Sequence, residues 1–86
     1  MTDYKEIILN NICYTDLVYE RINKKLNLAL SKDKIEGLIS EIIKETDKSQ
    51  FLKTGKNIYI TNENKNVRLT INSYTNRIIT ADKLIK

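Results

Sequence analysis

An α+β fold, with helices in the first part of the chain and an antiparallel meander in the second, follows from three observations on these 86 residues. Apolar residues recur at helical spacing as far as about residue 49, the period falls to two after Gln50, and Asn-rich tetrapeptides separate the alternating runs. The expected architecture is three N-terminal helices packed on one face of a three- or four-stranded antiparallel β-meander. Length bounds this to one domain over 1–86, with a helical part at 1–49 and a β part at 50–86, and one modest core.

The first helix rests on "DYKEIILNNI", where Tyr4, Ile8 and Ile12 stand four residues apart and Thr2 or Asp3 can cap the start. In "TDLVYERINKKLNL", Val18, Ile22 and Leu26 form one stripe, with Thr15 or Asp16 at its head. The third helix is the clearest. Ile35, Leu38, Ile39, Ile42 and Ile43 fall on the i, i+3, i+4, i+7, i+8 template, and Asp33 and Glu36 stand at capping-box spacing. Cys13, next to Ile12 on an apolar helical stretch, reads as a small core filler.

Beyond Gln50, "NIYIT", "VRLTIN" and "RIITA" are rich in β-branched residues, and "FLKT" before Gly55 offers a shorter fourth strand. Setting Ile60 opposite Leu69 and Ile58 opposite Ile71 makes "ENKN" a four-residue loop and gathers the apolar side chains on one face. The other face then carries Asn57, Tyr59, Thr61, Arg68, Thr70 and Asn72, and no acidic residue in its strands. With "SYTN" as the last loop, Arg77 lies opposite Asn72, while the adjacent Ile78 and Ile79 leave the inward residue open. The expected core is Ile8, Ile12, Val18, Ile22, Leu26, Ile35, Leu38, Ile39, Ile42, Ile58, Ile60, Leu69 and Ile71.

Composition removes much chemistry. With no histidine and one cysteine, neither a Ser-His-Asp nor a Cys-His arrangement can be assembled, and the usual zinc spacings are missing. No metal or cofactor is expected. "KTGKN" lacks the upstream glycine and the Ser/Thr after Lys of a phosphate loop, so it reads as a turn. No run of about 18 apolar residues occurs and no secretory pattern opens the chain, so a cytoplasmic protein without membrane contact is expected.

The net charge of +4 is inflated by a bias toward 14 Ile, 12 Lys and 10 Asn, and its distribution is more telling than its total. Residues 1–50 hold eight Lys/Arg against nine Asp/Glu, whereas residues 51–86 hold seven against two. Basicity therefore belongs to the β part. Helices two and three invite a helix-turn-helix reading, but Lys32, Lys34 and Lys44 share the third helix with Asp33, Glu36, Glu41 and Glu45, and acidic groups would meet phosphates in a groove. The polar sheet face is the better candidate for an anion. Arg68 and Arg77 offer planar forks, Tyr59 and Tyr74 can stack on a base, and Thr70, Asn72 and Lys56 complete the binding set.

The segments "NICYTDLVYERINKKLNL", "GKNIYIT" and "RLTINSYTNRIITADKL" together resemble the small bacterial proteins grouped as domain of unknown function 3781, over nearly the whole chain. That resemblance implies a single intact domain and assigns no activity. Helices followed by a meander ending in "RIITA" are also similar in shape to the RelE-like ribonuclease toxins, which would imply metal-independent RNA cleavage by Arg68, Arg77, Tyr59, Tyr74 and Lys56. Two arginines are few for that family. The expectation is thus a small non-enzymatic binding module whose basic sheet face contacts an acidic protein surface or RNA. The alternatives are that ribonuclease, or an adaptor or inhibitor acting through helices or a sheet edge, where two copies could also pair.

Overall fold

In the computed structural model, which describes residues 3–84, helices α1 (Tyr4–Asn11), α2 (Asp16–Leu26) and α3 (Lys32–Glu45) precede a short 3-10 turn at Lys48–Gln50. Four strands follow, β1 (Phe51–Thr54), β2 (Asn57–Asn62), β3 (Val67–Asn72) and β4 (Ile78–Lys83), in one antiparallel sheet of order β1-β2-β3-β4. This is the α+β arrangement that the change of period implies. No described helix is long and apolar enough to cross a membrane.

Helix ends are set by local chemistry. Asp3 caps α1 by accepting from the Glu6 amide at 3.1 Å, and its carboxyl is held below the usual range first by that amide and then by Lys48, 3.0 Å away. The cap of α3 is Ser31, whose hydroxyl accepts from the Lys34 amide, so the Asp33–Glu36 capping box does not form. Glu36 instead accepts a 2.7 Å hydrogen bond from the Tyr19 hydroxyl. Lys5 of α1 donates to the carbonyls of Lys44 and Thr46 at 2.7 and 2.9 Å, placing a cation where the α3 dipole is negative.

The turns explain the asparagines. Asn27, Asn66 and Asn76 all have φ near +57°, at 56°, 58° and 57°, where an asparagine is tolerated better than most residues. Gly55 has φ +60° and opens the two-residue β1–β2 turn, the sign pattern of a II′ hairpin.

One core joins both halves. Ile58 and Ile60 face Ile71 and Leu69 in the expected register, and they pack with Val67, Ile78 and Ala81 against Ile8, Val18, Ile22, Leu26, Ile35, Ile39, Ile42 and Ile43. Ile12 and Leu38 are only partly buried, at the margin of this cluster. Cys13 is exposed, because α1 ends at Asn11 and the cysteine lies in the connection. There its backbone pairs with the start of β4, the Cys13 amide donating to the Asn76 carbonyl at 2.8 Å and the Ile78 amide to the Cys13 carbonyl at 3.1 Å. Arg21 Nη1 reaches the Ile79 carbonyl at 3.2 Å, so the β4 edge is partly closed while the β1 edge has no strand beside it.

Two polar contacts tie helices to sheet and to each other. Thr46, buried just beyond α3, donates to the Ile42 carbonyl and accepts from Asn62 Nδ2 at 3.0 Å, while Asn62 Oδ1 accepts from the Lys65 amide. Tyr14 and Tyr19 stack with centroids 5.7 Å apart, and Lys32 lies 5.3 Å from the Tyr19 ring centre.

Thr46→Val is expected to cost about 1–3 kcal/mol, because Asn62 Nδ2 is left buried without an acceptor. Adding Asn62→Leu should recover part of that loss, and a double-mutant cycle by denaturant unfolding measures the coupling; strictly additive losses would show the pair to be independent.

Burial, with the Ser40 hydroxyl opposing it, pushes Tyr14 up to about 12, and burial followed by the bond to Glu36 pushes Tyr19 up to about 12. The unfolded chain releases these protons near the ordinary value of 10.0, so their contribution to stability is complete below that pH and is lost as pH rises toward 12. Unfolding curves across this window should fall less steeply for a Tyr14→Phe, Tyr19→Phe double variant than for the wild type; equal slopes would contradict the assignment.

Candidate functional site

The site begins with the asymmetry of the sheet. All three helices cover the face carrying Ile58, Ile60, Leu69 and Ile71, so alternation turns Asn57, Tyr59 and Thr61 of β2 and Arg68, Thr70 and Asn72 of β3 to the opposite, uncovered face. Leu52 and Thr54 join them from β1, paired with Tyr59 and Asn57. Leu52 is 64% exposed there.

The last strand departs from simple alternation. A bulge falls between the Ile71–Ile78 and Thr70–Thr80 pairs, so Ile78 is buried and Ile79 is the additional residue. This shift moves Ala81 opposite Leu69 and Asp82 opposite Arg68. The uncovered face therefore does contain a carboxylate in its strands, contrary to the sequence expectation. Asp82 makes a 3.1 Å ion pair with Lys25 and none with Arg68, yet its charge still offsets the field beside that arginine. The paired isoleucines were the signal for the bulge, and the bulge is what places Asp82.

The sequence-selected residues divide into three groups along the strands. At one end Arg68 is exposed, next to Thr61 and Asp82. In the middle Tyr59, Thr70 and Thr80 form a row, with Thr70 only 9% exposed. At the other end the β1–β2 turn meets the β3–β4 loop, because the Ser73 amide and hydroxyl both donate to the Lys56 carbonyl, at 2.8 and 2.9 Å. Asn72 accepts from the amides of Tyr74 and Thr75 at 2.8 and 3.1 Å, so its side-chain oxygen serves the loop. Tyr74, at the loop tip, is 77% exposed. The Asn72 amide donates to the Arg77 carbonyl at 2.9 Å, which puts Arg77 across from Asn72.

Arg68 and Arg77 consequently do not converge. Arg68 and Asn72 stand four positions apart on β3, roughly 13 Å of strand. The loop end is the more cationic place. Lys53, Lys56 and Arg77 lie there, and residues 51–62 and 67–81 contain no Asp or Glu. Among the described residues Lys56, Arg68 and Arg77 make no ion pair with a carboxylate, whereas Lys25, Lys32, Lys48 and Lys65 do. Lys53, absent from the sequence-selected set, pairs with Ile58 and so starts from the helix-side face, and its ammonium donates to the Gly55 carbonyl at 2.8 Å in the turn. Asn57 Oδ1 and Thr80 Oγ1 on the same face are screened from solvent without a protein partner.

No described group of His, Cys, Asp and Glu is arranged to hold a metal ion. No curated protein and no solved structure matches the chain significantly, so the likeness to RelE-like toxins stays one of element order. A family profile does match, over residues 6–82, and the chain accordingly belongs to the DUF3781 family, described as a protein of unknown function.

Proposed function

We propose that the protein is a small non-enzymatic binding module, acting in the cytosol, whose uncovered sheet face receives an acidic partner at its loop end. The observation that carries this reading is the meeting of two turns through Ser73 and the Lys56 carbonyl, which sets Lys56 against the loop that runs from Ser73 to Arg77, with no carboxylate in either turn. Cations without ionic partners have no internal attraction to lose on binding, and an exposed tyrosine can stack on a base. Single-stranded RNA fits this combination best, and an acidic protein surface would use the cations alone.

Binding suits the geometry better than turnover does. Cleavage of RNA without a metal would need cationic and proton-transferring groups around one phosphate, within hydrogen-bond reach. The spacing of Arg68 from Arg77 spreads these groups along the sheet, and the charge of Asp82 lies opposite Arg68.

Titration of an oligouridine at several salt concentrations is expected to give a log–log slope of roughly −2, from three cations at about 0.7 each on a single strand. Lys56→Ala with Arg77→Ala should flatten that slope by roughly 1.4, and Tyr74→Ala should weaken binding with little change of slope. Salt-independent binding, or variants equal to wild type, would refute the assignment. Induction of the wild-type chain beside an Arg68→Ala, Arg77→Ala variant should leave growth and total RNA intact in both cases; RNA fragments seen only with wild type would replace binding by cleavage.

A further inference from the structure

A second site lies at the opposite end of the sheet from Tyr74, where the helices and strands part. Leu26 at the end of α2, Leu28 after it, Leu38 and Ile42 of α3, and Val67 of β3 line a cleft of about 390 Å³. Its rim is formed by Lys65, Asn66 and Lys83. We propose that this cleft binds an amphipathic monocarboxylate, an acyl chain of medium length whose tail lies on the leucines and whose carboxylate meets Lys83.

Several observations select that ligand class. The volume falls in the range of small-ligand pockets, roughly 300–1,000 Å³, and the floor is aliphatic throughout. Leu28 keeps 38% of its surface exposed although its neighbours are buried, so apolar area remains to be covered. Among the described residues the charged groups in the lining are two ammoniums, which favours an anionic complementary group. They differ in availability. Lys65 is held by Glu45 at 3.2 Å and Glu41 at 4.0 Å, whereas Lys83 makes no ion pair among the described residues. Asn66 adds an amide at the mouth, with a buried Oδ1 that has no donor, and its carbonyl accepts from the Leu84 amide at 3.1 Å, fixing the rim to the end of β4. An apolar floor, edged by a cation that has no ionic partner among the described residues, discriminates an acyl carboxylate from both a neutral lipid and an inorganic anion.

The test is calorimetric titration of the full chain with straight-chain carboxylates from hexanoate to dodecanoate, below their micelle thresholds, with decanol as the uncharged control. Saturable one-to-one binding is expected, tightening by up to about fourfold per added methylene until the cleft is filled. Decanol should bind more weakly than decanoate. Lys83→Glu should weaken decanoate severalfold and leave decanol unaffected, Leu28→Asp should abolish both, and Arg68→Ala should change neither. Thermal melts of each variant separate loss of binding from loss of fold. Absence of saturable binding, or carboxylate binding indifferent to Lys83→Glu in a folded variant, would overturn the proposal.

Discussion

Burial of only one face of the sheet is the constraint from which the rest of this structure follows. An 86-residue chain has three short helices available, and all of them are used to cover the isoleucine and leucine rows of β2 and β3. Among the described residues no helix or strand lies over the other face. The opposite face must then be tolerable to water, and threonine and tyrosine meet that demand while favouring strands, arginine adds charge, and the asparagines of this face stand at strand ends. The feature that makes the sheet foldable is thus the same one that leaves a broad polar surface free.

Polar interactions refine this layering. The buried Thr46–Asn62 contact fixes where the chain leaves α3 relative to the β2–β3 hairpin, and Lys5 closes the same helix end from α1. At the far side, the Cys13 backbone and Arg21 occupy the β4 edge, which would otherwise present unpaired groups to other chains. The β1 edge is short and carries Lys53, a milder protection. These contacts place the cationic turns at one end of the sheet and the leucine-lined cleft at the other.

Much of this was legible in the sequence. Hydrophobic spacing located the three helices, and the single-face rule set the β2–β3 register through Ile60 opposite Leu69. What escaped were features settled by tertiary contacts or by one-residue shifts. The Asp33–Glu36 spacing suggested a capping box, but Ser31 lies earlier and Tyr19 competes for Glu36. Cys13 follows Ile12 on an apolar run, yet the helix stops two residues before it and the cysteine is used for its backbone. The bulge at Ile79 moves every later residue of β4 by one place and brings Asp82 to the uncovered face; the adjacent isoleucines mark the irregularity, but strict alternation does not say which way the strand shifts. The polar side chains of β2 and β3 are therefore recoverable as a face, whereas their division into a cationic end, a threonine row and a charge-balanced end is not.

The most direct test of the account is a map of backbone amide resonances as a short oligouridine is added. Shifts concentrated in residues 55–59 and 72–77, with the exposed faces of α1 and α3 unchanged, are the predicted result. Perturbation centred on the helices or along the β1 edge, with the Lys56, Tyr74 and Arg77 amides still, would contradict the assignment of the uncovered sheet face as the binding surface.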